Sequence, residues 1–409
     1  MCPQRLFYVL QALSFCVTKS CMSDFNPLKP ETFDSPHEVY ERLRRECPVA
    51  HSDAWDGFWA FMKHEDVANA AADFDTYLTS VQNVVPKVST TGRRPPLHLD
   101  PPEHTPYRRA LAPTFSEKRI AGFEPVIERI CNSLLDNLVA KGGGDICSEF
   151  SAPMPILVFA EWMNLPRDQV ESLGEIGRRY NIAVQSADME ETQASSKQLY
   201  DIARALIAER QAHPLDPNKD AVSSLLAARH NGEPLPEDLI VGTIRQVLVV
   251  GIIAPTVLFG SICVHLSRDT ALQDKLRAEL SLIPAAIEEF LRLYTPYRGF
   301  ARTPSRDVKV RSKTIKKDEP IALVYASANR DEDVFECPAE FRLNRPNIKE
   351  SLAFGRGPHM CIGASLGRLE MQVALRTLLA RTSRFSLAGD IKPTRMPEIG
   401  ALSVPLKFE

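Results

Sequence analysis

The sequence predicts a mainly α-helical protein with small β-sheets, folded as one domain, and three observations carry that prediction. Apolar residues recur at helical spacing through most of the chain. Strand-like alternation is confined to short pieces such as Gly57–Phe61 and Val308–Val324. The chain has 409 residues, 44% of them apolar, enough for a large core, and no linker-like stretch divides it. Its 31 prolines are dispersed rather than gathered in a low-complexity block, and no internal repeat is present.

The elements follow in order. Leu6 to Val17 is a mostly apolar run, but a membrane span needs about 20 residues, so no stable span is expected there. Residues 1–22 read as a poorly packed N-terminal extension, and 23–409 as the folded domain. Pro36 to Cys47 reads as helix, Gly57–Phe61 as strand, and His64 to Ala72 as helix. Tyr77 to Leu99 is polar, contains proline and lacks a period, so a long functional loop is expected. Glu117 to Val139 reads as a helix stopped by Gly142-Gly143-Gly144. Helices are predicted over Pro153–Met163, Arg167–Ala187 and Glu190–Ala212. Pro236 to Ser267 is the longest apolar helical run; helices within Thr270–Leu280 and over Pro284–Tyr294 follow. Ala364 to Thr382 carries Leu366, Leu369, Val373, Leu375, Leu378 and Leu379 at helical spacing.

Composition excludes some functions. A net charge of −3 with Arg93-Arg94 and Arg108-Arg109 as the local basic pairs gives no support for nucleic-acid binding. Nine cysteines, without a C-x-x-C pair, exclude the common zinc and iron–sulfur patterns. Scattered cysteines of this kind suit free thiols in a reducing, cytoplasmic compartment.

The chemistry concentrates in Phe354-Gly355-Arg356-Gly357-Pro358-His359-Met360-Cys361-Ile362-Gly363. Cys361 sits in a glycine-permitted turn at the start of a helix, where backbone N–H groups and the helix dipole favour an anion. A thiolate held this way is a strong axial ligand for iron. Gly355 and Gly357 permit positive φ, Gly363 leaves room for a flat macrocycle, and Phe354 can shield the sulfur. These residues resemble the haem-binding loop of the cytochrome P450 family, F-x-x-G-x-x-x-C-x-G, at every fixed position.

The resemblance extends over about residues 25–409. Glu289-Phe290-Leu291-Arg292 matches the family's E-x-x-R, whose partner arginine corresponds to Arg345; the implied role is to hold the cysteine loop. His104 and Arg108, Arg302, and His359 match the family's haem-propionate donors. The implied cofactor is haem b, with Cys361 as the metal ligand. The implied activity is reductive dioxygen activation and hydroxylation of a hydrophobic small molecule.

One motif departs from the pattern. Where the family carries an acid followed by threonine, this chain has Ala254 and Pro255, with Thr256 one position later. Pro255 would free a backbone carbonyl able to hold water for proton relay, with Thr256 supplying the hydroxyl. Equally, Pro255 would only kink the helix and Thr256 would bond back to the backbone. The missing acid keeps open a peroxygenase or a small-ligand reductase, for example of nitric oxide. Arg245–Gly251 and Tyr297–Arg302 look most like haem domains of bacterial self-sufficient enzymes. Without a G-x-G-x-x-G fingerprint or a cysteine quartet, electrons are expected from a separate ferredoxin or flavoprotein, docking near Arg109, Arg356 and Arg368. Distal candidates are the 77–99 loop, the helices between 167 and 195, Val250, Ile253, Ala254, the 297–300 turn and Pro397–Ile399.

Overall fold

The computed structural model describes residues 23–87 and 92–409. The predicted extension, with its Leu6–Val17 run, lies outside the described residues, as does part of the predicted 77–99 loop.

Helices dominate, and most lie where spacing placed them: Pro36–Glu46, His64–Ala72, Pro153–Trp162, Arg167–Ser186, Met189–Ala212, Thr270–Ala278, Ile283–Leu293 and Ala364–Arg381. Two predicted helices are interrupted. The segment expected from Glu117 forms Glu117–Ala121 and Glu124–Ala140, because Gly122 ends the first and Pro125 suits only the first turn of the second. The long apolar run forms Glu237–Val250 and Ile253–Arg268, parted at Gly251–Ile252. Together they are long and apolar enough to cross a membrane, yet most of the apolar stretch is buried inside the protein. A core helix of this kind needs no bilayer.

The largest sheet has five strands in the order Val49–Ser52, Phe58–Phe61, Ile321–Leu323, Phe300–Pro304 and Tyr77–Leu78. Ile321–Leu323 runs parallel to Phe58–Phe61 and antiparallel to Phe300–Pro304. The alternation expected over Val308–Val324 becomes three short strands rather than one. Arg311, at φ 52°, turns the first onto the second. A second sheet pairs Phe385–Leu387, Pro405–Phe408 and Gly143–Asp145, so the glycines expected only to stop a helix also form an edge strand. A Cβ on Gly143 would lie 2.2 Å from the Leu406 carbonyl oxygen, so only glycine permits that pairing.

The main core runs through Glu124–Ala140, Pro153–Trp162, both halves of the long apolar segment, Ile283–Leu293 and Ala364–Arg381. Smaller cores lie beneath the five-stranded sheet. This arrangement joins the helix after Cys361 to the helix carrying Thr256 in one packed body.

Candidate haem site

Cys361 is presented by a loop closed by the hydrogen bond from its own N–H to the Phe354 carbonyl, at 2.8 Å. Gly355 and Gly357 adopt φ of 73° and 74°. A Cβ on Gly357 would also meet the Ala71 carbonyl oxygen at 2.6 Å, so the loop is pressed against the helix His64–Ala72. The Cys361 side chain keeps accessible surface, while burial pushes its thiol up. The Gly363 N–H, Arg108 and Arg368 act the other way and favour the thiolate. Phe354 packs under the Arg368 guanidinium, 4.4 Å from ring centroid, and Arg368 is held by Glu288 at 2.6 Å. Arg368 is thereby committed to the loop, whereas Arg109 and Arg356 are exposed.

The loop is tied to the E-x-x-R pair through a chain of bonds. Glu289 accepts from Arg292 Nε and Nη2 at 2.8 and 2.6 Å, and from Arg345 Nε at 3.0 and 3.1 Å. Burial raises the Glu289 carboxyl, but the two guanidiniums outweigh it and hold it below its usual value. Arg292 Nη1 donates to the Asn329 carbonyl at 2.9 Å, and Asn329 Oδ1 accepts from the Leu352 N–H at 2.6 Å. Leu352 in turn accepts from the Gly355 N–H at 2.9 Å. Sequence reasoning missed Asn329, which no motif marks.

The four predicted anionic-group donors fall into one region. His104 and His359 rings stand 4.6 Å apart, edge to face. His104 is buried, its Nε2 has no partner, and burial lowers its ring to about 4. His359 Nε2 bonds Thr79 Oγ1 at 2.9 Å and lies 3.7 Å from Asp100, which leaves Nδ1 for a further group. Asp100 is itself fixed by the Thr79 and Ser80 N–H groups and held well below the usual carboxylate range. Thr79 and Asp100 were also missed, because their bonds to His359 span the chain. Arg302 is buried; it bonds the Ala301 carbonyl at 2.8 Å and meets no carboxylate at ion-pair distance among the described residues. Arg108 is half-buried, with the Cys361 sulfur within its field. Buried cations and an orphaned imidazole of this kind fit a dianionic group such as a pair of propionates. A Cβ on Gly363 would approach nothing closer than 3.7 Å, so the protein leaves space beside the sulfur. These residues fit a haem.

On the opposite helix, residues 240–249 are buried, but Val250 is 46% exposed at the break. A Cβ on Gly251 would lie 2.2 Å from Phe159, which packs against the break from behind. Ala254 and Pro255 are half-buried in the first turn of the second helix. Pro255 has no N–H to offer the Gly251 carbonyl. The Thr256 hydroxyl lies 2.8 Å from the Ile252 carbonyl and 3.0 Å from the Ser151 carbonyl. Its single proton thus faces two backbone acceptors, the back-bonding arrangement rather than an open donor. The remaining distal candidates converge: Val85 N–H donates to the Gly299 carbonyl, Arg298 N–H to Pro397, and Tyr297 bridges Glu398. Glu398 is buried, accepts from Gln185 at 2.8 Å, and is raised by burial to about 7.

The geometry fits a haem beside a cysteine, and comparison with known proteins gives the family. The family model described as Cytochrome P450 matches residues 260–409. Cytochrome P450 107B1 of Saccharopolyspora erythraea is 31% identical over 84% of this chain and 87% of its own. The 20-oxo-5-O-mycaminosyltylactone 23-monooxygenase of Streptomyces fradiae is 28% identical over 90% of this chain and 87% of its own. The crystal structure of CYP108D1 from Novosphingobium aromaticivorans superposes with a TM-score of 0.81 at 26% identity, covering 92% and 95% of the two chains. The chain belongs to the cytochrome P450 family, in its bacterial single-domain form, and is a haem-thiolate monooxygenase.

Proposed function

We propose that the protein hydroxylates a small, largely hydrophobic molecule, using haem b held by Cys361, with electrons from a separate ferredoxin or flavoprotein. Bound here, haem supplies reductive activation of dioxygen. Cys361 would hold the iron as a thiolate, which the Gly363 N–H and the fields of Arg108 and Arg368 favour. His104, Arg108, Arg302 and His359 hold the propionates, which gives buried donors the anions they lack in the protein alone. Gly355 shapes the loop, Gly363 leaves room for the ring, and Phe354 keeps water from the sulfur.

Proton delivery departs from the family pattern. Ala254 cannot carry a proton, and the hydroxyl of Thr256 faces backbone carbonyls. The Gly251 carbonyl, deprived of an amide by Pro255, is the acceptor that holds a water beside the reacting face. Free thiols at Cys47, Cys131, Cys147 and Cys263 suit a reducing, cytoplasmic setting.

The observation that carries this reading is the accessible Cys361 side chain in one region with the orphaned His104 Nε2 and a buried Arg302 that meets no carboxylate at ion-pair distance among the described residues. Turnover assays test it. Product formation should require dioxygen together with an electron donor, and peroxide alone should be poor. Efficient turnover with peroxide, or dioxygen-free consumption of NADH with nitric oxide, would favour the other chemistries.

A further inference from the structure

Two buried guanidiniums, Arg94 and Arg245, lie within each other's field around the Tyr180 phenol and form no ion pair with a carboxylate among the described residues. Arg245, on the helix Glu237–Val250, is 1% exposed; Arg94 and His98, on the preceding loop, are each 8% exposed. Arg245 Nη2 donates to Ser196 Oγ at 2.9 Å, and its guanidinium stacks on Tyr180, 4.8 Å from the ring centroid, and on Tyr200 at 5.9 Å. Among the described residues Arg94 Nε, Arg245 Nε and Nη1, His98 Nε2 and the Tyr200 hydroxyl have no hydrogen-bond partner, and the Tyr180 phenol is the polar group shared by the two guanidiniums. The other charges acting on Arg94 and His98 are arginines, with tyrosine phenols beside Arg94.

Such a cluster is costly as it stands. Two like charges out of water, with several donors unmet, require an anion with oxygen acceptors. Burial opposes ionisation of Tyr180, but Arg245 and Arg94 outweigh it and draw its phenol below the ordinary value. The two guanidiniums therefore favour negative charge within the cluster. Its position is equally telling. Arg245 lies five residues before the exposed Val250, about 7.5 Å along the helix axis. Tyr180 and Tyr200 come from the two helices that cover this region. Between Arg245 and Val250, residues Val247, Leu248 and Val249 are buried and apolar, and Gln246 is buried as well.

We propose that Arg94 and Arg245 bind the carboxylate of an otherwise apolar substrate and so fix which carbon reaches the haem. A planar carboxylate can take paired N–H groups from a guanidinium, and the aromatic walls exclude competing water. The inference deepens the monooxygenase reading and rests on it.

Spin-state titration of the purified holoenzyme tests it. Alkanoic and arylalkanoic acids, their methyl esters and the matching primary amines are the probes, with the high-spin Soret shift as readout. Acids should bind at least about tenfold more tightly than esters, the range of a charge-assisted hydrogen bond, and amines should give no high-spin shift. Arg94→Gln and Arg245→Gln should each abolish the preference for acids while leaving ester affinity in place. Equal binding of acid and ester by the wild type, a comparison that needs no variant, would overturn the proposal. So would tyrosinate absorption in the ligand-free enzyme that disappears in Tyr180→Phe, since the counter-ion would then be internal. A preparation whose reduced carbonyl complex lacks the thiolate signature would instead overturn the haem-thiolate reading, independently of any probe.

Discussion

At Pro255 the resemblance puts an imino acid where the family carries threonine, and the proposed proton route rests on that position. Restoring an amide there should be informative: Pro255→Ala lets residue 255 donate to the Gly251 carbonyl and removes the acceptor. Product formed per electron consumed should then fall several-fold, while Thr256→Val should leave that ratio near the wild-type value. Measuring product against NADH oxidation in both variants checks the assignment. Arg302→Gln should speed haem transfer to a scavenging apoprotein by about tenfold, the loss expected for one buried charge-assisted contact. Individual residues were legible where the chain carries them close together: the cysteine loop, its glycines and the His104/Arg108 pair can all be read from spacing. Asn329, Thr79 and Asp100 were not, because their partners stand 23, 280 and 259 positions away, as Leu352, His359 and His359 respectively.

Among the elements, the helix Ala364–Arg381 carries a buried acid with no counter-charge. Glu370 is raised by burial from 4.5 to about 8, and its Oε1 has no hydrogen-bond partner. Since the folded state holds this proton more tightly than the unfolded chain, its contribution to stability is fully present below pH 4.5. It is lost as pH rises toward 8. Glu370→Gln should flatten that slope, so denaturant titrations at pH 5 and pH 8 should differ less in the variant. The meander network makes the opposite demand on charge. Arg345→Leu strands Glu289 among groups arranged for a carboxylate and should cost about 3–5 kcal/mol, with poor haem incorporation. Helical periodicity located nearly every long helix, because one apolar stripe per element is what the core requires. It did not show the breaks at Gly122 and Gly251, where packing and proline placement interrupt a continuous pattern. The strand Phe300–Pro304 was also hidden, since its residues are mostly buried and show no alternation.

Taken whole, the molecule leaves Arg109 and Arg356 exposed and, among the described residues, without an ion pair, whereas Arg368 is held by Glu288. An acidic electron donor docking there should reduce the protein at a rate that falls steeply with ionic strength, because exposed charges are screened beyond about 10 Å at 0.1 M salt. Arg356→Glu should slow reduction several-fold at low salt and leave little difference at high salt, as stopped-flow mixing would show. The decisive experiment addresses the Cys361 sulfur. Reduced wild-type holoenzyme under carbon monoxide should give the red-shifted Soret band of a thiolate-ligated complex, and Cys361→His should retain porphyrin but lose that band. A wild-type spectrum lacking the shift in fresh, undenatured protein, or an unchanged band in Cys361→His, would contradict the assignment.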